Sequence, residues 1–256
     1  MSIADALVET SARVLVIDIE TRPMTVRSWG LYNQNHSINQ IVEPGGVICW
    51  AAKWYGSPKI EFRSDFHDGH DEMVAEAWRL MDSADLIIGF NHIGFDVKLL
   101  HREFVLNGYG PPSPHKDCDL LRVCRQAFRF PSNKLDWVSQ ELGIGRKVSH
   151  AGMELWEGCM ADDPKSWATM RAYNKHDVVL TEELYDRVKG WCRNHPNMNL
   201  YRQERVSACH ICGSVDLEDA GFKYTATRSY SQFRCISCGG YSQATHYERA
   251  VHRKSA

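Results

Sequence analysis

The first strong signal along the chain is an unbroken run of apolar, mostly β-branched residues, RVLVIDI, at positions 13–19. Such a run is typical of a strand that is buried on both faces of a sheet. Two more strands are predicted at 46–56 and 59–66, joined by a turn at 56–58. The second of them alternates in polarity, so we expect an edge strand or a half-exposed one.

Helical spacing of apolar residues follows these strands. It predicts helices over 69–82 and 95–108, separated by a short buried strand at 84–90. Three further helices are predicted, over 119–128, over 134–143 and from Asp163-Pro164 to about Cys192, the last with typical N-terminal signals. The sequence therefore predicts an α/β body.

Length and composition indicate how the chain divides into an α/β body and smaller parts. With 256 residues, 43% of them hydrophobic, the chain can form one sizeable core and a small appendage. We expect the α/β body over 1–192, a linker over 193–203, and a cysteine-bearing module with a basic tail over 204–256. No run of 18 apolar residues and no signal-like start is present, which predicts a cytoplasmic protein without a membrane partner.

The net charge of −2 is unevenly distributed. Residues 1–200 carry 22 Lys and Arg against 27 Asp and Glu, whereas residues 201–256 carry 8 against 5. A nucleic acid would be attracted to the second part and repelled by the carboxylates of the first, unless cations lie among them.

Asp18 and Glu20 stand two residues apart at the end of the first strand, so their side chains are predicted to point to the same side. Two such carboxylates favour a divalent cation, Mg²⁺ or Mn²⁺, because burying them without a partner is costly. Taken alone, the pair could also be a turn cap and a solvated carboxylate.

Two later carboxylates have similarly ordinary alternatives. Asp96 follows the strand at 84–90 and could simply cap the next helix. Asp177 lies in the long helix with Tyr173 four residues earlier, so the two side chains share a face, and such a pair is often a surface feature.

The order of these motifs resembles that of the DEDD superfamily of exonucleases, which has a ribonuclease H-like fold with a mixed sheet flanked by helices. The matches over residues 12–190 are Asp18-Ile19-Glu20-Thr21, Asn91-His92-Ile93-Gly94-Phe95-Asp96 and Tyr173-Asn174-Lys175-His176-Asp177. The second motif looks most like that of the exonuclease domain of family B DNA polymerases. Position 172 is Ala and position 173 is Tyr, which matches the tyrosine branch and leaves His176 without a chemical role.

The resemblance implies two Mg²⁺ or Mn²⁺ ions and a 3′-to-5′ exonuclease that releases 5′-nucleoside monophosphates. It implies that Asp18 bridges the ions, that Glu20 and Asp177 complete the site that activates water, and that Asp96 holds the second ion largely through water. Tyr173 would orient the attacking water.

Substrate contacts are also implied by the resemblance. Residues at the places of Thr21, Asn91 and Phe95 contact the terminal nucleotides, and Phe95 could stack on a base or pack into the core instead. The segment Trp29-Gly30-Leu31-Tyr32 could line the substrate channel or act as a loop anchor.

Four of the nine cysteines form two C-x-x-C pairs, Cys209 with Cys212 and Cys235 with Cys238, separated by 22 residues. Four thiolates suit one structural Zn²⁺, and the module resembles a zinc ribbon rather than two disulfides or free thiols. The other five cysteines are expected to be small buried hydrophobes. Five basic residues of the module are interleaved with Tyr224, Tyr230 and Phe233 and could contact nucleic acid, a protein or neither. They are Arg202, Arg205, Lys223, Arg228 and Arg234.

The expected function is hydrolysis of DNA from a 3′ end, with a single strand as the substrate, in replication, recombination or repair. The chain has no room for a polymerase domain, so it would act alone or beside a replication or recombination protein, in a bacterium or in the host cytoplasm of a virus. Two alternatives remain: an RNA 3′-to-5′ exonuclease, and a non-catalytic adaptor that binds nucleic acid through the zinc ribbon.

Overall fold

The computed structural model describes residues 12–149, 151–202 and 206–251. Four parts of the sequence predictions lie outside the described residues: the first eleven positions of the α/β body, the end of the linker, Arg205 and the last five positions of the basic tail.

Seven strands belong to the α/β body: β1 (Val14–Arg22), β2 (Thr25–Val26), β3 (Ile41–Glu43), β4 (Gly46–Trp54), β5 (Glu61–Ser64), β6 (Leu86–Gly89) and β7 (Lys116–Asp119). Five of them form the central sheet in the order β5-β4-β1-β6-β7. The pairs on the β4 side of β1 are antiparallel and those on the β6 side are parallel, so the sheet is mixed. Strands β2 and β3 pair separately.

The helices of the body are α1 (Asp65–Asp68), α2 (His70–Asp82), α3 (Asp96–Leu106), α4 (Leu120–Ala127), α5 (Leu135–Glu141), α6 (Met153–Met160) and α7 (Pro164–Val188). Helix α7 begins as predicted, because the Asp163 side chain accepts from the Ser166 backbone N–H at 2.9 Å. No helix in the described ranges is long and apolar enough to cross a membrane.

Two apolar layers cover the sheet, and β1 contributes to both by alternation. Val14 and Val16 pack in the layer that contains α7, whereas Leu15 and Ile17 pack in the layer that contains α2 and α3. Helices thus flank a mixed central sheet, which confirms the predicted fold class. Positions 18 and 20 continue the face of Val14 and Val16, so their side chains point toward α7.

The structure corrects several element boundaries. The predicted strand over 59–66 ends at Ser64, because its hydroxyl accepts from the His67 backbone N–H at 3.1 Å and starts α1. Strands β2, β3 and β7 and helices α1 and α6 were not predicted. The long helix ends at Val188 rather than near Cys192, and a 3-10 turn, Lys189–Trp191, follows it.

The cysteine-bearing module contains a second sheet of four antiparallel strands, β8 (Leu217–Tyr224), β9 (Arg228–Cys235), β10 (Tyr241–Gln243) and β11 (Arg249–Ala250). Its small core is formed by cysteines and Ile211, with Leu217 packed against them. A 3-10 turn, Met198–Tyr201, leads from the body toward the module, and the Met198 backbone N–H donates to the His210 carbonyl at 2.7 Å.

Candidate active site

The end of β1 and the middle of α7 bring three carboxylates together. Ligand oxygens of Asp18, Glu20 and Asp177 all lie within 4.8 Å of one another. The period of two along β1 explains why Asp18 and Glu20 share a face, and the packing of α7 on that face explains why Asp177 meets them. The register of β1 against β4 shifts between Glu20 and Thr21, at the edge of this group.

Burial and mutual repulsion favour the protonated forms of these groups. Burial, followed by the charges of Asp96, Glu20 and Asp177, raises the pKa of Asp18 well above its ordinary value. Burial also raises the pKa of Glu20 to about 8, although Lys147 opposes the shift. Such a group keeps all its carboxylates ionised only if positive charge is supplied.

Lys147 supplies positive charge to the group and was not predicted from the sequence. Its Nζ donates to an Asp177 carboxylate oxygen and, at 3.1 Å, to the Tyr173 hydroxyl. Burial alone would lower the pKa of Lys147, but Asp177 raises it above its ordinary value. The ammonium group therefore stays charged against Asp177.

Two hydrogen bonds hold the loop that carries Lys147. The Lys147 backbone N–H donates to Asp136 Oδ1 at 2.8 Å, and His176 Nε2 lies 2.7 Å from the Arg146 carbonyl oxygen. His176, which the motif comparison left without a role, thus ties this loop to α7 beside Asp177.

Asn174 is a second side chain that sequence reasoning missed. Its Nδ2 donates to Asp18 Oδ2 at 2.7 Å and to the Asp18 carbonyl oxygen at 3.3 Å. Asn174 is fully buried, so this contact fixes the orientation of the Asp18 carboxylate. Its place in the third motif was visible in the sequence, but the motif gave it no function.

Tyr173 is buried at the border of the carboxylate group, with its ring 6.3 Å from that of Trp156. Burial, followed by the charge of Asp177, raises the pKa of its hydroxyl above the ordinary value. The hydroxyl therefore stays protonated and can donate a hydrogen bond.

Asp96 lies beside the three carboxylates and outside their tight group. It does not cap α3, because Phe95 occupies the N-cap position, and its Oδ1 instead accepts from the Ile19 backbone N–H at 3.1 Å. Burial raises the pKa of Asp96 to about 6, with the Ile19 hydrogen bond opposing the shift. Asp96 adds negative charge from the side of β6 and α3.

The three predicted nucleotide-contacting residues lie at element ends around this group. Thr21 is partly buried near the end of β1, and Asn91 adopts a left-handed backbone conformation, φ 65°, with its N–H donating to Asp119 Oδ1 at 3.0 Å. Phe95 is 45% exposed, which rules out the alternative that it is a core residue. Trp29 is 96% exposed, and its contact with substrate stays a prediction.

The donor set of the carboxylate group fits a hard divalent cation. All three side chains offer oxygen, which Mg²⁺ requires, and the buried Asp177 Oδ1 has no hydrogen-bond partner among the described residues. A cation at this position would satisfy that atom and offset the repulsion among the carboxylates.

The four paired cysteines also meet, in the core of the module. Their sulfurs lie within 4.8 Å of one another, with Cys209 3.6 Å from Cys238 and Cys212 3.5 Å from Cys235. Tetrahedral Zn²⁺ with bonds of about 2.3 Å places sulfurs about 3.8 Å apart, so the cluster is consistent with a zinc module. Of the other cysteines, only Cys192 is not fully buried.

Comparison with known proteins addresses the fold of the body. Among curated proteins, none matches this chain. The family model of the RNase H superfamily matches residues 43–189, from β3 to the 3-10 turn after α7. Nucleases with this fold generally use divalent metal ions, and the fold implies binding of nucleic acid. Since the match covers more than half of the chain, the chain belongs to the RNase H superfamily.

Proposed function

We propose that the chain is a metal-dependent 3′-to-5′ exonuclease of the tyrosine branch of the DEDD superfamily that acts on DNA. The observation that carries the proposal is the group formed by Asp18, Glu20 and Asp177, with Tyr173 and Lys147 at its border. Two Mg²⁺ or Mn²⁺ ions bound there would stabilise the attacking and leaving oxygens of a phosphodiester displacement.

The residues around the ions would have different roles. Asp18, oriented by Asn174, would contact both ions, and Glu20 and Asp177 would hold the ion nearer the attacking water. Asp96 would hold the second ion through water, which agrees with its position outside the tight group. The protonated Tyr173 hydroxyl would orient the attacking water.

The surroundings support binding of a strand end. Thr21 directly follows Glu20 in β1, Phe95 directly precedes Asp96, and Asn91 lies just after β6 in the same loop as Phe95. An exposed phenyl ring at Phe95 can stack on any base, which suits an enzyme that removes nucleotides regardless of sequence.

The second part of the proposal concerns the cysteines. Cys209, Cys212, Cys235 and Cys238 would bind one structural Zn²⁺ in a zinc ribbon, residues 204–256, attached through residues 193–203 to an exonuclease domain over 1–192. Zinc would supply the folding energy that the small core of the module lacks.

The test is shortening of a 5′-labelled single DNA strand with Mg²⁺ or Mn²⁺. The wild type should give a ladder of labelled products that shortens from the 3′ end. Asp18→Asn, which preserves shape and removes the charge, should slow the reaction at least about 100-fold. Asp71→Asn makes the same change at an exposed carboxylate of α2 and serves as the matched control.

Equal rates in Asp18→Asn and the wild type would refute the assignment of the site. A labelled strand that shortens from its 5′ end would refute the polarity. An RNA strand of the same sequence, run in parallel, distinguishes DNA from RNA hydrolysis, and a wild type that binds but shortens neither strand would support the adaptor alternative.

A further inference from the structure

A cleft of about 620 Å³ lies where the end of the α/β body meets the cysteine module. One wall is the segment 190–193 after α7, and the other is formed by the module around Arg234 and Tyr241. A second cavity of about 340 Å³ shares Arg193, His210 and Tyr241 as walls and extends to Lys223. We call the two together the module cleft.

The module cleft has one sign of charge. Arg193, Lys223 and Arg234 line it, and none of the described residues that line either cavity is Asp or Glu. Arg193 and Lys223 are exposed and have no ion pair among the described residues. Arg234 lies 3.3 Å from Glu218, but both are half exposed, so this pair holds the arginine weakly. A cleft with one sign of charge concentrates a ligand of the opposite sign.

Aromatic and amide groups accompany the positive charges. The Trp191 side chain is 60% exposed while its ring packs edge-on against Phe128 at 5.2 Å, and Tyr241 is 54% exposed. Asn197, Gln232 and Gln243 line the second cavity. An acidic peptide would use only the charges, whereas a single strand of nucleic acid uses charges for phosphates, rings for base stacking and amides for base edges.

The two walls of the module cleft approach each other closely at Gly190. A Cβ atom on Gly190 would lie 2.1 Å from the Cys238 carbonyl oxygen, so only glycine permits this approach of the two backbones. On the module side, His210 Nδ1 lies 2.9 Å from Ser242 Oγ, which orients the His210 ring within that wall.

We propose that the module cleft binds a single strand of nucleic acid, with phosphates on Arg193 and Lys223 and bases stacked on Trp191 and Tyr241. This deepens the proposed function and rests on it for the nature of the strand. Asp177 lies 11 residues before Val188 on α7, about 17 Å along the helix. The cleft is thus a second contact, at the end of α7 beyond the carboxylates, for a strand several nucleotides long.

The test measures binding without hydrolysis. Full-length Asp18→Asn protein with Zn²⁺ and Mg²⁺ is titrated against a 5′-fluorescein oligothymidylate of about 20 nucleotides, followed by fluorescence anisotropy. Arg193→Ala with Lys223→Ala is compared with Arg79→Ala and Lys59→Ala, a pair of equal charge change on exposed residues away from the cleft.

The cleft pair should weaken binding at least about tenfold, and the control pair should not. Loss of two phosphate contacts should also reduce the slope of log Kd against log salt by about 1.4. An equal Kd and an equal salt slope in the cleft variant and the control variant would overturn the proposal. A cleft that binds a protein instead of nucleic acid would give this result. A wild type that binds the strand but cannot shorten it would refute the proposed function. The comparison of Kd between the cleft variant and the control variant would still test the cleft.

Discussion

The carboxylate group and the cysteine cluster are both candidate metal centres, but the chain builds them in opposite ways. Asp18 and Asp177 come from opposite ends of the α/β body and are held by a sheet and a helix with two apolar layers of their own. The cysteines lie only 29 positions apart at most, from Cys209 to Cys238, and they themselves form most of the small core around them.

This difference separates two roles of metal. The body holds its carboxylates in place through Asn174, Lys147 and the packing of α7, so under the proposed function metal would serve the reaction there rather than folding. The small core of the module leaves folding to the proposed zinc, so metal would serve folding there.

The largest effect is expected from the loss of one cysteine. Cys212→Ser should release Zn²⁺ and unfold the module, because structural zinc contributes about 10–16 kcal/mol of binding energy to folding. Hydrogen exchange should show lost protection over 206–251 and retained protection in the body. Cys192→Ser, a partly exposed cysteine of the body, is the control. Full protection of the module without zinc would contradict the contrast.

A smaller effect is expected from Lys147→Ala. Loss of the ammonium group that donates to the Tyr173 hydroxyl should lower kcat for strand shortening about 10- to 100-fold, and Lys147→Arg should restore part of it. Without divalent ions the variant should also melt at a lower temperature, because Asp177 is left buried without its partner; Mg²⁺ or Mn²⁺ should reverse this.

His176→Ala should have a weaker effect than Lys147→Ala, because His176 holds the Arg146 carbonyl and does not donate to Asp177 or Tyr173 in any hydrogen bond among the described residues. The measurement is the same kcat, with KM recorded alongside. A His176→Ala variant as slow as Lys147→Ala would mean that the loop, and not the ammonium group, is what the reaction needs.

Metal binding at the carboxylates should also depend on pH. Burial raises the pKa of Glu20 from 4.5 to about 8, so the metal-free protein keeps a proton on Glu20 below that pH. Metal must displace this proton, and Mn²⁺ affinity should therefore rise up to about tenfold per pH unit from pH 6.5 to 8 and level off above. Calorimetry in buffers of different ionisation enthalpy counts the protons released, and affinity that is constant over this range would contradict the raised pKa.

Much of the α/β body follows from local patterns that the sequence displays. The apolar run before Asp18 predicts β1, and its period of two predicts that Asp18 and Glu20 share a face, as the structure has them. The Asp163-Pro164 start predicts α7, and with it the shared face of Tyr173 and Asp177. Strand β7 was missed because its sequence, KDCD, has no apolar alternation and is held by pairing with β6.

The carboxylate group was predicted less completely than the fold. Lys147 lies in a loop without periodicity, 30 positions before the carboxylate that it binds, and no spacing relates the two. Asn174 and His176 stand inside a quoted motif, but their contacts depend on how α7 packs on β1 and on the loop before α6. Roles that arise from tertiary packing leave no local signal in one sequence.

The contrast between the carboxylate group and the cysteine cluster is tested by anomalous diffraction from crystals soaked in MnCl₂, recorded at the manganese and zinc edges. Manganese peaks are expected about 2.1 Å from carboxylate oxygens of Asp18, Glu20 and Asp177, with Lys147 displaced from Asp177. A zinc peak is expected among the four cysteines. Absence of manganese at the carboxylates, with Lys147 still bound to Asp177, would contradict the contrast.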